Sequence, residues 1–514
     1  MVTPQVVIVP TTPTDVPLLF QSAPIDMAVI QPYSQPAVDS TPLNAITTTP
    51  PSTNQPLLQS TPVKLKSSTT CPFTTNQKYR VESCTMMGEE MEKYLVGPMP
   101  IQQFLDDFFP LSKLPGLHKV HHFDPRCYHD TASAEKETDL YNHFVSLWNV
   151  FCYHSSHILF FFKVWTTQTF TPGLRVVNSS AYVDCNSNLD FLFKIKPDVS
   201  VYCNDSDPKV KTDSSLTELF VEFKWSPSDD PFCDTYNLYC PDCKVSTKAF
   251  LNDTKKSKDT LGQITSYTAA QLGAQFRTHV YSIFILKDTA RILWWDRSGA
   301  IVTEAFKYDE SPYLTEFFRR FSQASPAMCG KDQSVSDPTP AEALVARQVL
   351  GLGDKVPLVK LEVPNANGSP LYFITSAPQA TPYTPPGCAT HGGPAYNVLQ
   401  GMKVYLKDLW RVDLPDIVAE GLTYATLKGK KVHNIPHCLA SGDISTSEYH
   451  TTKMHNFIKA PWACHSHTHF VPHWHYRLVL DIIGRSLTTC SVFIWGLSYN
   501  KDLLLNMVEN PGEV

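Results

Sequence analysis

Three ionisable side chains, on two segments of the chain, have the types and spacing for metal-assisted chemistry. Glu222 and Lys224 stand two positions apart in Phe220-Val221-Glu222-Phe223-Lys224, a pattern that predicts a strand with both charges on one face. Buried charges are costly unless they are paired or bind a metal. Asp198, at the predicted end of an earlier strand, adds a second carboxylate. Carboxylates that hold Mg²⁺, together with a lysine that orients water, are the groups needed to hydrolyse a phosphodiester.

These residues resemble the PD-(D/E)xK signature of the restriction-endonuclease-like fold. Gln263 and Tyr267 form a Q-x-x-x-Y pattern on the next predicted helix, as in the RecB-like branch. Glu137 lies on a predicted upstream helix, where that branch often carries a further acidic residue. The resemblance implies a Mg²⁺-dependent nuclease, and nucleic acid is expected as a partner under this interpretation alone. The alternative is a structural ion pair between the glutamate and the lysine on a partly exposed strand.

Length and composition limit the class of protein. The chain has 514 residues, and this length predicts two or three domains. The net charge of −6 does not favour binding to nucleic acid. The sequence contains no apolar run long enough for a transmembrane helix and no basic leader followed by an apolar run. We therefore expect an intracellular protein without membrane association.

The distribution of residue types along the chain predicts its organisation. Residues 1–75 are rich in Pro, Thr, Ser and Gln and are expected to be disordered. Helical and strand patterns alternate over residues 85–325, which predicts an α/β (mixed α+β) domain with a mixed sheet. Residues 326–340 are expected to form a linker, residues 341–487 a β-rich domain, and residues 488–514 a divergent tail.

The β-rich region contains the groups of a protein-kinase small lobe in the expected order. Gly387, Gly392 and Gly393 lie in a predicted turn, Lys407 lies on the next strand, and Glu420 lies on a following helix. In a kinase, glycine backbone approaches the ATP phosphates, the strand lysine grips them, and the helix glutamate holds that lysine. The alternative is a surface lysine and a solvated glutamate.

Four segments spread over both regions have a distinctive combined pattern: Val96-Gly97-Pro98-Met99-Pro100, Trp295-Asp296-Arg297-Ser298-Gly299, Leu406-Lys407-Asp408-Leu409-Trp410-Arg411 and His475-Tyr476-Arg477-Leu478-Val479. With them, the chain resembles the fungal-type protein kinase family over roughly residues 85–495. The resemblance implies ATP-dependent phosphorylation of protein Ser/Thr, with Lys407 as the ATP-anchoring lysine, Glu420 as its partner, and ATP and Mg²⁺ as cofactors.

The groups that a kinase large lobe supplies are missing from the sequence. Phosphate transfer needs a catalytic-loop aspartate and a metal-binding Asp-Phe-Gly, and neither H-R-D nor D-F-G follows Lys407. The resemblance ends near Leu487, so we expect a pseudokinase fragment that binds ATP and Mg²⁺ weakly or not at all. Three functions remain open: an incompetent kinase relative, a Mg²⁺-dependent nuclease, and a non-catalytic protein that binds an unidentified protein partner.

Overall fold

The described part of the chain folds into helices and two β-sheets, which confirms the predicted mixed α/β class. The expected disordered segment 1–75 and the expected tail 488–514 lie outside the described residues. No described helix is long and apolar enough to cross a membrane. The computed structural model describes residues 77–114, 117, 125–153, 173–185, 195–208, 210–233, 250–365, 368–377, 385–445, 447–464 and 470–483.

The elements are numbered here in chain order. The helices are α1 (Gln77–Met91), α2 (Ile101–Phe108), α3 (His129–Ala132), α4 (Glu137–Tyr153), α5 (Lys255–Ala274), α6 (Tyr313–Gln323), α7 (Pro340–Leu350) and α8 (Glu420–Gly429). The strands are β1 (Leu95–Met99), β2 (Leu174–Asn178), β3 (Val199–Cys203), β4 (Thr217–Lys224), β5 (Val280–Leu286), β6 (Thr289–Asp296), β7 (Gly299–Thr303), β8 (Phe306–Lys307), β9 (Val335–Ser336), β10 (Leu358–Val363), β11 (Leu371–Ser376), β12 (His391–Asn397), β13 (Met402–Val412), β14 (Cys438–Asp443) and β15 (His473–Leu480).

The first sheet is mixed and is covered by helices on both faces. Its order is β1-β7-β6-β5-β4-β3-β2, and β8 pairs with β6. The pairs β1–β7 and β4–β5 are parallel, whereas the other neighbours are antiparallel. Helices α2, α4 and α6 pack on one face and helices α1 and α5 on the other. Because both faces are buried, the central strands are almost continuously apolar.

Helices α1 and α5 approach each other closely through glycine. A Cβ atom at Gly262 on α5 would overlap the carbonyl of Cys84, and one at Gly88 on α1 would overlap the carbonyl of Lys258. At its start, α5 has a capping box in which Thr254 and Ser257 satisfy each other's backbone N–H groups. The glycine contact and the cap fix α5 over the sheet.

The second sheet is antiparallel, with the order β14-β15-β13-β12-β11-β10-β9. Burial alternates along β13: Val404, Leu406 and Asp408 are buried, whereas Tyr405 and Lys407 are half-buried. This alternation is the period-two pattern of a strand whose two faces differ in environment. The buried apolar side chains of β13 join the core of the second sheet, and α8 packs beside the other face.

A buried arginine joins the second sheet to the segment that precedes it. Arg477 on β15 donates to Asp408 (2.6 Å), Asp332 (2.8 Å) and the Ser334 hydroxyl (2.8 Å), and its side chain is fully buried. Residues 326–340, which the composition predicts as a linker, thus contain two buried partners of this arginine as well as strand β9. Two buried carboxylates and a buried guanidinium are tolerated only when they satisfy one another, so the segment that carries Asp332 is packed against the second sheet.

Residues 447–464, called here the return segment, lie between β14 and β15 and pack on the first sheet and its helices. The ring of Phe457 stacks on Phe108 with centroids 5.8 Å apart. Cys464 donates its N–H to the carbonyl of Gly97 (2.8 Å) and accepts one in return (3.2 Å). Asp296, at the end of β6, accepts the N–H of Lys453 (2.7 Å). The return segment therefore ties the second sheet to the core of the first.

Candidate functional site

Asp198, Glu222 and Lys224 come together at one end of strands β3 and β4. The antiparallel register pairs Val199 with Val221, so one further step places Asp198 opposite Glu222. Directly opposed residues of antiparallel strands have Cβ atoms about 4.5–5.5 Å apart on one face of the sheet. Lys224 lies two positions beyond Glu222 and shares that face. The side chains that the sequence predicted as a group are thus brought together.

Asp198 is held in place by hydrogen bonds to its carboxylate and to the backbone around it, made by residues on two neighbouring segments. One of its carboxylate oxygens accepts the N–H of Phe223 at 2.9 Å. Ser179 donates its N–H to the carbonyl of Asp198 (2.9 Å) and its hydroxyl to the carbonyl of Pro197 (2.9 Å). These bonds leave the carboxylate little freedom to turn away from Glu222.

Glu222 is buried and only partly satisfied by its neighbours. Its Oε1 accepts a short hydrogen bond from Lys224, whose ammonium also donates to the carbonyl of Phe223 (3.1 Å). Its Oε2 is buried and accepts no hydrogen bond from any described residue. A buried carboxylate oxygen without a donor is costly unless a cation or water meets it.

The charges of this group act strongly on one another. Burial and then the charge of Glu222 hold the pKa of Asp198 well above its ordinary value, against the opposing effects of Lys224 and the Phe223 N–H. Burial acts to lower the pKa of Lys224, but the carboxylates of Glu222 and Asp198 outweigh it and raise that pKa. The lysine therefore remains a cation, and two carboxylates compete for its charge.

Helix α4 contributes a third carboxylate near the end of the sheet where Asp198 and Glu222 lie. Glu137 is the first residue of α4, and its charge acts on both Asp198 and Lys224. Its Oε1 accepts the hydroxyl of Tyr141 at 2.8 Å. Burial, followed by the charge of Asp198, raises the pKa of Tyr141 far above its ordinary range, so the phenol stays protonated as a donor.

Gln263 and Tyr267 lie on α5, but they take different positions relative to the carboxylates. The ring of Tyr267 packs on Phe220 of β4 with centroids 5.9 Å apart. Its hydroxyl donates to the carbonyl of Lys196 (3.2 Å), two residues before Asp198. Gln263, one turn earlier, has a buried amide oxygen that accepts no hydrogen bond from the described residues. Tyr267 therefore supports the backbone that carries Asp198.

The donor set fits a hard divalent cation. Mg²⁺ prefers carboxylate oxygens and usually keeps several of its waters, so two protein ligands suffice. Asp198 and Glu222 supply them, and the unsatisfied Oε2 of Glu222 is an available acceptor. The oxygens of Glu137, Asp198 and Glu222 do not all lie within 4.8 Å of one another. A cation that used all three carboxylates would have to draw them closer.

A second candidate site contains Lys407 and Glu420. The ammonium of Lys407 on β13 lies 2.8 Å and 2.6 Å from the two carboxylate oxygens of Glu420 on α8. Both side chains are partly exposed, at 25% and 33%. This bidentate arrangement is the one in which a helix glutamate fixes the direction of a strand lysine.

The three glycines predicted for a nucleotide turn do not all lie in a turn. Gly392 and Gly393 belong to strand β12, where they pair with Lys407 and Leu406 of β13. Gly387 is buried with φ at 118°, and its N–H donates to the carbonyl of Arg297 (2.9 Å). The prediction of a single turn is corrected in this respect, because strand pairing takes up the backbone of two of the glycines.

A cavity of about 500 Å³ lies between α8 and β14. Tyr424, Lys428, His433, His437 and Cys438 contribute to its lining. Neither Lys407, nor Glu420, nor any of the three glycines lines it. The cavity therefore lies apart from the groups that the kinase resemblance assigns to ATP.

Two further groups of metal-ligand types are accounted for by hydrogen bonds. Among the described residues, Asp332, His450 and His475 form one group, and Asp184, Cys185 and Asp213 form the other. The Nδ1 atoms of the two histidines lie only 2.9 Å apart. That distance is a hydrogen-bond contact between the two rings, and His475 also lies 2.8 Å from Asp408 through Nε2. In the second group, Asp184 accepts the N–H (3.0 Å) and the hydroxyl of Ser214.

Similarity to known proteins does not identify either site. No protein-family model, curated protein or solved structure matches this chain. Both sites are therefore interpreted from their residues and geometry alone.

Sequence patterns gave no signal for two functional neighbours. Tyr141 is four residues after Glu137 in an apolar helix pattern, so it resembles any other core residue in the sequence. Ser179 is 19 positions before Asp198 and contacts it only because β2 pairs with β3. Only the spacing of four residues between Glu137 and Tyr141, which places a hydroxyl donor one helical turn from the carboxylate, could have indicated the role of Tyr141.

Proposed function

We propose that the first sheet carries a Mg²⁺-dependent phosphodiesterase centre of the nuclease type, formed by Asp198, Glu222 and Lys224. The observation that carries this proposal is the buried, unsatisfied Oε2 of Glu222 beside a second carboxylate and a lysine. A structural ion pair between Glu222 and Lys224 uses only Oε1 of Glu222 and does not account for the buried Oε2 beside it.

The placement of the remaining residues supports this proposal. Asp198 precedes β3, Glu222 and Lys224 lie on β4, and the Q-x-x-x-Y pattern lies on α5. Glu137 begins the upstream helix α4. The predicted order of these groups along the chain agrees with the proposal, although Asp198 lies just before strand β3 and not at the end of a strand as the sequence predicts.

Each side chain has a distinct role in the proposed hydrolysis. Asp198 and Glu222 would hold the cation, which when bound would lower the pKa of a water and offset negative charge on the phosphate. Lys224 donates hydrogen bonds to the attacking water or to a non-bridging phosphate oxygen. As the water oxygen bonds to phosphorus, the bond to the ester oxygen breaks; the water gives up one proton to solvent, and the departing oxygen takes one up.

Plasmid nicking with the full chain in Mg²⁺ tests the proposal. We expect wild-type protein to nick the plasmid, and Lys224→Ala and Glu222→Gln to lose at least about 100-fold in rate, because each removes a group that acts on the reacting atoms. Lys307→Ala is the matched control, since this lysine is exposed and its partner is Asp288 in the turn between β5 and β6. Equal rates for the two lysine variants, or no cleavage by wild type, would contradict the proposal.

The second sheet supports a second candidate, a kinase-like small lobe that does not transfer phosphate. The bidentate Lys407–Glu420 pair favours this interpretation. In kinases, transfer uses the aspartate of an H-R-D motif and a metal-binding Asp-Phe-Gly, and neither motif follows Lys407 in this sequence. Gly387 donates its N–H to the carbonyl of Arg297, and Gly392 and Gly393 are paired in strand β12. Because these glycines do not form the predicted turn, we expect poor affinity for ATP.

Incubation with labelled ATP and Mg²⁺ tests this second candidate. We expect no phosphate transfer and no thermal shift at millimolar ATP–Mg²⁺. Transfer by pure protein that is lost in Lys407→Ala, but not in Lys403→Ala on the exposed end of the same strand, would show that a catalytic base exists elsewhere in the chain.

A further inference from the structure

Tyr141 connects the helix that carries Glu137 to the strand that carries Glu222 and Lys224. Its hydroxyl donates to Oε1 of Glu137 at 2.8 Å. Its ring packs on Phe223 with centroids 5.4 Å apart, and the side chain is 7% exposed. One side chain thus contacts both parts of the proposed site.

The packing of α4 fixes the position of this tyrosine. Tyr141, Phe144 and Trp148 follow one another at spacings of three and four residues, which places them on one face of the helix. Phe144 also packs on Phe223, with centroids 5.3 Å apart, and Trp148 packs on Phe318 of α6. The phenol therefore projects from a rigid apolar face, one turn after Glu137.

The hydrogen bond leaves part of Glu137 available. The hydroxyl of Tyr141 binds Oε1 only, and no other hydrogen bond to Glu137 is formed by the described residues. Tyr141 joins Glu137 to Phe223, the residue between Glu222 and Lys224, so the Glu137 carboxylate lies beside the strand that carries the proposed site. A free glutamate at the first turn of a helix would otherwise adopt many rotamers, which a phenol one turn later restricts.

We infer that Tyr141 is a positioning residue that holds Glu137 as a third carboxylate beside Asp198 and Glu222, where it acts on a divalent cation through the water that Mg²⁺ keeps, and thereby sets the affinity of the site for that cation. This inference rests on the proposed phosphodiesterase function. Hydrogen-bond partners that orient metal ligands typically change metal affinity by about 10–100-fold when they are removed. Tyr141 does not contact the reacting atoms and acts only through Glu137.

Direct binding of Mn²⁺ to the full chain, measured by electron paramagnetic resonance, tests the inference without relying on activity. Tyr141→Phe keeps the ring on Phe223 and removes only the hydroxyl. We expect it to weaken Mn²⁺ binding about 10-fold. Glu137→Gln should weaken binding at least as much, and the double variant no more than Glu137→Gln alone, because the two residues act as one unit.

Tyr128→Phe is the matched control. Tyr128 is a buried tyrosine of the same core, and its hydroxyl lies 2.7 Å from that of Thr315 on α6. We expect Tyr128→Phe to bind Mn²⁺ like wild type. Wild-type affinity in Tyr141→Phe, or additive losses in the double variant, would overturn the inference.

Plasmid nicking on the same samples separates failure of the inference from failure of the proposed function. If wild type binds Mn²⁺ and nicks DNA while Tyr141→Phe is unchanged, only the role of Tyr141 is wrong. If wild type binds Mn²⁺ and Tyr141→Phe binds it more weakly but wild type does not nick DNA, the cation site and its positioning residue stand and the phosphodiesterase does not. If wild type binds no Mn²⁺, both are refuted.

Discussion

Arg477 is the most deeply buried charge in the described part of the second sheet. Its guanidinium is shared between Asp332 and Asp408, and its Nη1 also donates to the carbonyl of Glu362 at 2.7 Å. His475 lies 2.8 Å from Asp408 through Nε2, and the ring of Trp410 stacks on it with centroids 4.8 Å apart. Each carboxylate thus has more than one partner, as a buried ionic group requires.

Replacing Arg477 should therefore destabilise the fold strongly. Arg477→Met would leave Asp332 and Asp408 buried without their cation, and we expect the free energy of unfolding to fall by about 3–5 kcal/mol in urea titrations at neutral pH. Arg411→Met is the control, since Arg411 and its partner Asp443 are 20% and 31% exposed. That pair should contribute no more than about 1 kcal/mol. A similar loss in both variants would contradict this account.

The stability that Arg477 contributes depends on pH through the carboxyl groups of Asp332 and Asp408. Burial opposes ionisation, but Arg477 and His475 outweigh it and lower the pKa of both Asp332 and Asp408. The folded pKa thus lies below the unfolded value of about 3.9. This contribution to stability is fully present above the unfolded pKa and is lost as the pH falls through the folded values.

Individual residues were predictable from the sequence where a local pattern constrained them. Glu222 and Lys224 share a face because strands alternate, and this required only five consecutive residues. The partners of Arg477 come from positions 332, 334 and 408, so no local pattern connects them. Tyr141 was missed for a similar reason, since its role depends on where α4 meets β4.

The contact between α8 and β14 sets the position of Glu420, the partner of Lys407. Gly421 follows Glu420, and its N–H donates to the hydroxyl of Tyr476 at 2.9 Å. A Cβ atom at this position would overlap the hydroxyl of Ser441 and crowd that of Tyr476. The helix can approach the sheet this closely only because residue 421 has no side chain.

Gly421→Ala should accordingly move α8 and destabilise the second sheet. We expect the free energy of unfolding to fall by about 1–3 kcal/mol, the usual result of overpacking a close contact. Gly429→Ala on the same helix is the control, since a Cβ atom at that position would meet nothing within 4 Å. It should be neutral or gain up to about 1 kcal/mol from helix propensity. Chemical denaturation of both variants measures the difference, and equal stabilities would argue against a tight contact.

Elements with strong periodicity were predicted well, and irregular ones were not. The residue pattern predicts a strand at 358–363, which is β10, and an amphipathic helix at 313–321, which is α6 and extends to Gln323. It also predicts a strand near Tyr182, which is wrong because the chain already turns after β2 ends at Asn178. In that turn the carbonyl of Ser179 accepts the N–H of Tyr182 (2.8 Å), and a count of apolar residues cannot detect such a bond.

At the scale of the whole molecule, the sequence indicated two regions but not how they are joined. The Asp296-Arg297-Ser298-Gly299 segment is one of those that carry the family resemblance. In the structure it forms the turn between β6 and β7, in which Asp296 accepts the N–H of Ser298 at 2.7 Å. The turn also holds the return segment through Lys453 and the Gly387 region through Arg297. Such long-range contacts depend on the complete fold and leave no periodic signal.

The return segment has a consequence for the protein while it is being made on the ribosome. Phe108 and Gly97 emerge early, but their partners Phe457 and Cys464 emerge roughly 350 residues later. At about 5–20 residues per second, this delay is roughly 20–70 s. In the finished protein the return segment covers one face of the first sheet. During the delay the Phe108 ring and the Gly97 backbone on that face are left exposed to solvent. Chaperone binding to stalled nascent chains is therefore expected to be strongest before the return segment emerges.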